Sequence, residues 1–225
     1  MLDTGTEVAF IVYSSVFFFA TLMYLIWLIS SKDKEVIEDL VVETTGTFLT
    51  CLIGVLGVFE IGIVIRGDGA EAFYARYCVY AATYSFQGWL YTQYLRHDVF
   101  SQVMTVSFNI LNALLTAVAC VLENPIARWF ILSFGMVFFL FYFYGLIFLR
   151  KRRDTYSKIL LVMVVLGWLA HYAVFVVGSG IALVDLQVET YLYLVVDAFV
   201  KIGIGVYLLD TNDMDKRIKK VRFQI

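Results

Sequence analysis

Seven apolar runs, each about as long as a helix that crosses a lipid bilayer, take up nearly all of this 225-residue sequence. They lie near 7–30, 39–65, 71–95, 99–122, 126–149, 157–184 and 189–210. A hydrocarbon layer of about 30 Å needs roughly 20 helical residues. Inside it every backbone N–H and C=O must be satisfied by the protein itself, so runs of this length read as helices. The pieces between them are short and polar: "SSKDKEVIED", "RGDGAEA", "RHD", "LENPIAR", "RKRRDTYSK" and "VDLQVE". They leave no room for a second domain or a linker. The expectation is an all-α membrane protein, one seven-transmembrane-helix bundle over residues 1–225, embedded as a multi-pass protein in the plasma membrane.

Basic residues set the orientation, because cytoplasmic loops carry an excess of Lys and Arg. Lys32, Lys34, Arg96, Arg150, Lys151, Arg152, Arg153, Lys158, Lys216, Arg217, Lys219, Lys220 and Arg222 all fall on one side of a seven-span chain; Arg66 and Arg128 fall on the other. The N-terminus is therefore expected to be extracellular and the C-terminus cytoplasmic. Met1 to Glu7 holds no basic residue and the first run is too long for a signal-peptide core, so it reads as a true first helix. With 61% hydrophobic residues and a net charge of only -2, the composition points to the lipid bilayer as the main partner and gives nucleic-acid binding no support.

Enzyme signatures are missing. Cys51, Cys78 and Cys120 all fall within spans, are odd in number and have no CxxC spacing, which argues for packing rather than a disulfide or a zinc site. The sequence has no Gly-rich phosphate loop, HExxH or GxSxG pattern.

The chemistry concentrates instead in "DAFVKIGIGVYLL", residues 197–209, where Asp197 and Lys201 stand one helical turn apart in apolar surroundings. Placing either charge at the centre of a membrane helix costs about 2.5–3.5 kcal/mol on insertion scales. An i,i+4 salt bridge in the favourable acid-before-base order is the plain account. Replacing a buried ion pair by apolar groups is often neutral or stabilising, however, so stability alone gives little reason to retain one. A lysine in an apolar pocket is biased toward its neutral amine, which can condense with an aldehyde to a Schiff base. Once protonated, that group is a buried cation that needs an anion, and Asp197 is placed to supply it.

The segment "ETYLYLVVDAFVKIGIGVYLL" closely resembles the seventh helix of the microbial (type I) rhodopsins, with the family's Asp, Lys and Gly-x-Gly carried by Asp197, Lys201, Gly203 and Gly205. "WLAHYAVFVVGSG" resembles the sixth helix through Trp168, Phe175 and Gly178. "ARYCVYAATYS" resembles the third through Arg76, Tyr77, Tyr80 and Thr83. The resemblance implies all-trans retinal bound to Lys201 as a protonated Schiff base, with Asp197 as its main counterion. It implies that Trp168 and Tyr80 sandwich the polyene, that Phe175 faces its ring and that Arg76 forms an extracellular charged cluster with Asp197. Glu189 resembles the glutamate of extracellular proton-release groups. His171 stands where the family has a Tyr that bonds to the helix-seven Asp. For the aromatic residues an ordinary core position is the simpler account, in a chain with 20 Phe and 15 Tyr.

The departures bear on mechanism. Outward proton pumps of the family carry an Asp in the third helix where this chain has Val79, and their later donor carboxylate falls at or near Leu90. Valine can neither accept a proton nor pair with a cation, so a typical outward proton pump is not expected. The expected function is a light receptor in which isomerisation rearranges the helices for sensing, with the basic "RKRRDTYSK" loop and "DKRIKKVRFQI" tail as a surface for a cytoplasmic signalling partner. The alternatives are a light-gated ion channel lined by Glu60, Thr44, Thr45, Thr47 and Thr50, with Glu43 near its cytoplasmic mouth, and a light-driven ion pump. Assembly as a homo-oligomer stays open.

Overall fold

A computed structural model describes residues 2–67 and 69–211. The chain folds into helices α1 (Thr4–Ser30), α2 (Lys34–Val58), α3 (Tyr74–Tyr94), α4 (Val99–Val121), α5 (Pro125–Phe148), α6 (Thr155–Phe175) and α7 (Leu186–Asp197). A π-helical turn, Val176–Gly180, extends α6, and another, Ala198–Gly203, carries α7 on toward Thr211. The basic tail, with Lys216, Arg217, Lys219, Lys220 and Arg222, lies outside the described residues. Consecutive helices are neighbours and α7 contacts α1 as well as α6, which closes the bundle into a ring.

Six helices are long and apolar enough to cross a membrane by length and composition. The seventh, α3, has the length but a polar inward face: Arg76, Thr83, Gln87 and Thr92 are buried there among Tyr77, Tyr80, Tyr84 and Tyr91. On α1 the arrangement is simpler. Phe10, Tyr13, Phe17 and Tyr24 recur every three or four residues, or in multiples of that spacing, on one buried stripe, while Phe19 and Ile29 point outward and are largely exposed. Outward-facing apolar side chains of this size suit lipid rather than water.

Five of the seven helices start on a side-chain cap. Asp3, Asp98, Asn124, Asp154 and Asp185 accept backbone N–H groups at the starts of α1, α4, α5, α6 and α7. Such caps contribute about 0.5–2 kcal/mol each. Asp98 and Asp154 lie outside the spans, and both carboxyls are held below their ordinary range; for Asp98 the main cause is its bond from the Ser101 N–H.

The apolar run expected to continue to residue 65 stops early. Glu60 N–H bonds to the Gly57 carbonyl and Ile61 N–H to that of Leu56, with Glu60 at φ 57°. This is the Schellman closure, which turns the chain out of a helix through one left-handed residue. The chain then forms a hairpin of β1 (Ile63–Ile65) and β2 (Glu71–Phe73), antiparallel with Ile63 opposite Phe73, so α3 begins at Tyr74 rather than 71.

Candidate functional site

Asp197 and Lys201 project from the same face of α7, and both are 0% exposed. Lys201 Nζ stands 3.2 Å from Asp197 Oδ1. Its direction does not align as a hydrogen bond to any protein acceptor. The π-helical turn that contains Lys201 widens the helix at that point, as such turns often do at functional sites. Tyr24 of α1 donates toward two carbonyls of that turn, those of Lys201 (3.4 Å) and Ile202 (3.1 Å).

Asp197 is surrounded by donors. The hydroxyls of Tyr13 and Tyr80 both bond to Oδ2. His171 Nε2 lies 3.0 Å from Oδ1, and its Nδ1 lies 2.9 Å from the Gly167 carbonyl. Both contacts are hydrogen bonds at the same time only when both ring nitrogens carry a proton, because the carbonyl and the carboxylate can only accept. Four side chains from α1, α3, α6 and α7 thus converge on a single carboxylate. That arrangement fixes it as an anion facing the Lys201 nitrogen.

An aromatic slot opens beside this cluster, lined by Tyr80, Tyr84, Trp168, His171, Phe175 and residues of α4. It is narrow, with a cavity volume of about 30 Å³. Lys201 Nζ faces the Tyr80 ring at 4.4 Å and the Tyr84 ring at 5.5 Å, so the amine stands at the slot's edge. Trp168 does not oppose Tyr80 directly. Tyr84 intervenes, 4.2 Å from Trp168 and 4.8 Å from Tyr80 by ring centroid, which changes the expected sandwich. Phe175 packs edge-on against Tyr77 at 5.6 Å.

Arg76 is fully buried, but it does not join Asp197. Nη1 meets Glu189 Oε1 at 3.2 Å, Nη2 reaches Thr190 Oγ1 at 3.1 Å, and the guanidinium lies 4.2 Å over the Tyr193 ring. Ser179 Oγ donates to the same Glu189 carboxylate at 2.9 Å. Arg76 and Glu189 therefore form a second cluster toward the end of the bundle where the N-terminus lies. The expected cluster of Arg76 with Asp197 is replaced by this pair because Glu189 lies two turns before Asp197 on α7.

Other expected residues fall outside the site. Glu60 is exposed beyond the end of α2, where its Oε1 accepts the Leu2 N–H at 2.8 Å. It lines no interior path, because the Schellman turn has already carried the chain out of the bundle. The hydroxyls of Thr44, Thr45, Thr47 and Thr50 bond back to carbonyls one turn earlier, at 2.6 to 2.8 Å, so these donors are used within α2. Thr83 bonds back to the Tyr80 carbonyl at 3.3 Å, and Val79 is half-buried at the margin of the core. Glu43, expected at a cytoplasmic mouth, is 1% exposed.

Tyr13, Tyr84 and Tyr193 belong to the site although the sequence did not single them out. Tyrosine is too common here for type alone to reveal them. Their signal is position: Tyr13 shares a buried stripe with Tyr24 on α1, Tyr84 follows Tyr80 by one turn on α3, and Tyr193 precedes Asp197 by one turn on α7.

A buried lysine paired with an aspartate thus lies beside a narrow aromatic slot inside a bundle of seven helices. The chain has the microbial-rhodopsin fold. It superimposes on halorhodopsin from Halobacterium salinarum in its bromide-bound form with a TM-score of 0.87 at 16% identity, over 95% of each chain. On the light-driven proton pump rhodopsin of Coccomyxa subellipsoidea the TM-score is 0.82 at 16% identity, over 93% of this chain and 97% of that one. On the thermophilic rhodopsin from Rubrobacter xylanophilus it is 0.81 at 19% identity, over 91% and 95%. No protein-family model matches the sequence, and no curated protein matches it.

Proposed function

We propose that the protein is a light receptor that carries all-trans retinal on Lys201. The observation behind this reading is a buried amine with no aligned hydrogen bond, 3.2 Å from an anchored carboxylate and facing a narrow aromatic slot. The slot's cavity volume is about 30 Å³, below the range common for small-molecule sites, so its aromatic walls would part to admit a chain; their flat faces suit a conjugated one. Retinal joined to Nζ as a protonated Schiff base would supply visible absorption and a bond that isomerises on excitation.

The protein's own residues do the remaining work. Asp197, held by Tyr13, Tyr80 and His171, neutralises the positive nitrogen. Tyr80, Tyr84, Trp168 and Phe175 keep water away and restrict motion. The π-helical turns on α6 and α7 flank the site and provide places where packing can shift. Sensing is supported by the lack of a carboxyl at Val79 and by the three donors that occupy Asp197. A signalling surface would use exposed Lys151 and Arg153; Arg152 is buried, with Nε 2.5 Å from Asp154.

Light-driven ion transport is the second reading. The likeness to structures described as a light-driven proton pump and as halorhodopsin favours it, as does the buried carboxyl of Glu43. Light-evoked current in a voltage-clamped cell that forms the pigment separates these outcomes. Silence supports sensing, one sign at all potentials supports a pump, and reversal at an ion's equilibrium potential supports a channel.

A further inference from the structure

Glu43 is the one carboxyl among the described residues that is buried with neither oxygen bonded to a protein group. It projects from α2 against Gly205, one turn inward of Lys201 on α7. A Cβ at Gly205 would lie 2.8 Å from the Glu43 Cδ and 2.6 Å from the Tyr24 hydroxyl. The glycine is what lets the acid and the phenol press against α7 at this level. An ionised carboxylate in an apolar interior without donor or cation in contact is so costly that such a group instead keeps its proton. Glu43 therefore stands as a neutral carboxylic acid.

A line of polar groups connects it with the site. Tyr84, Gln87 and Tyr91 follow one another at three- and four-residue intervals along the buried face of α3, and each has a side-chain polar atom without a protein partner: Tyr84 Oη, Gln87 Nε2 and Tyr91 Oη. Tyr84 begins the line 5.5 Å from Lys201 Nζ by its ring, and Tyr91 ends it within electrostatic reach of Glu43. The outer side of the site is different, since there Glu189 is bound by Arg76, Ser179 and Tyr77. An acid that can give up a proton is thus found on the inner side of the lysine, and a paired one on the outer side.

We propose that Glu43 is the group that returns a proton to the Lys201 nitrogen from the inner, basic side of the bundle. This rests on the retinal reading. After light has moved the Nζ proton to Asp197 Oδ1, 3.2 Å away, from which it passes to water, the Glu43 O–H bond breaks, its electrons stay on the carboxylate oxygen, and the proton reaches the Nζ lone pair along the α3 line. Water at the inner face then reprotonates the carboxylate. No oxidant or reductant is involved. The role falls to α2 because Leu90 of α3 has no proton to give.

The test is infrared spectroscopy of the protein in the dark, followed by flash photolysis, on wild type and Glu43→Gln, both loaded with all-trans retinal. The wild type is expected to show a carboxylic C=O band that shifts in D2O. Glu43→Gln should keep the visible pigment, lose that band and recover its nitrogen proton roughly 10²-fold more slowly. An unchanged band with unchanged recovery in a coloured variant overturns the proposal and leaves the retinal reading intact, whereas a folded but colourless wild type overturns both. Should Glu43→Gln fail to fold, Glu43→Asp decides: the band moves if Glu43 is its source, and a band that stays in place overturns the assignment.

Discussion

Tyr13, near the beginning of the chain, donates its hydroxyl to Asp197, 184 residues later. The contact ties α1 to α7 at the level of the buried lysine, and Tyr80 donates to the same oxygen from α3. A carboxylate held in this way shares its charge with two phenols and does not have to be neutralised by Lys201 alone. The site is thus assembled from opposite ends of the sequence.

Removing those phenols should therefore alter the colour of the pigment. A hydrogen bond to a charged group contributes about 1.5–3 kcal/mol. With Tyr13→Phe and Tyr80→Phe combined, the negative charge of Asp197 concentrates on the nitrogen, which favours the ground state over the excited state. The absorption maximum is expected to move to shorter wavelength, further in the double variant than in either single one. Identical spectra would show that the phenols do not share the counterion's charge.

Asp197→Asn removes the anion and leaves the positive nitrogen uncompensated at 0% exposure. The nitrogen should then give up its proton at neutral pH, the visible band should be replaced by near-ultraviolet absorption, and acidification should bring the colour back. A spectrophotometric pH titration checks this. A variant that keeps the wild-type visible band at neutral pH would point to a different counterion.

The outer pair makes a prediction about stability. Breaking a buried ion pair by removing one partner costs about 3–5 kcal/mol, because the remaining charge stays desolvated. Arg76→Gln and Glu189→Gln should each lower the thermal midpoint clearly, and the double variant should lose much less than the sum of the two. Additive losses in a thermal-melt cycle would mean that the 3.2 Å contact contributes no coupling.

Much of this was legible in the sequence, and the reasons differ by level. Helix number followed from run length against bilayer thickness, since a continuous apolar run of about 20 residues satisfies its own backbone in hydrocarbon only as a helix. Asp197 and Lys201 stood out because charge in such a run is costly and i,i+4 spacing already places both on one face. The end of α2 was hidden because hydropathy continues through Gly62, Ile63 and Val64, while the turn at Glu60 depends on a left-handed residue that is not glycine. Arg76 was assigned to Asp197 because motif order says nothing of side-chain reach; in space Glu189 is the partner it meets. The place of Tyr13 in the site and the burial of Glu43 were hidden for a similar reason. Whether a polar side chain on a membrane helix faces lipid or its neighbours depends on helix rotation, and the apolar outer surface here leaves hardly any amphipathic signal from which to read it.

The central claim is that the Lys201 nitrogen bears the chromophore. The measurement that tests it most directly is to bind all-trans retinal, reduce the linkage with borohydride, digest the protein and find the retinyl group by mass spectrometry. The account predicts one adduct, on the peptide that contains Lys201. An adduct on another lysine, such as Lys158, or none on a correctly folded protein, would contradict it.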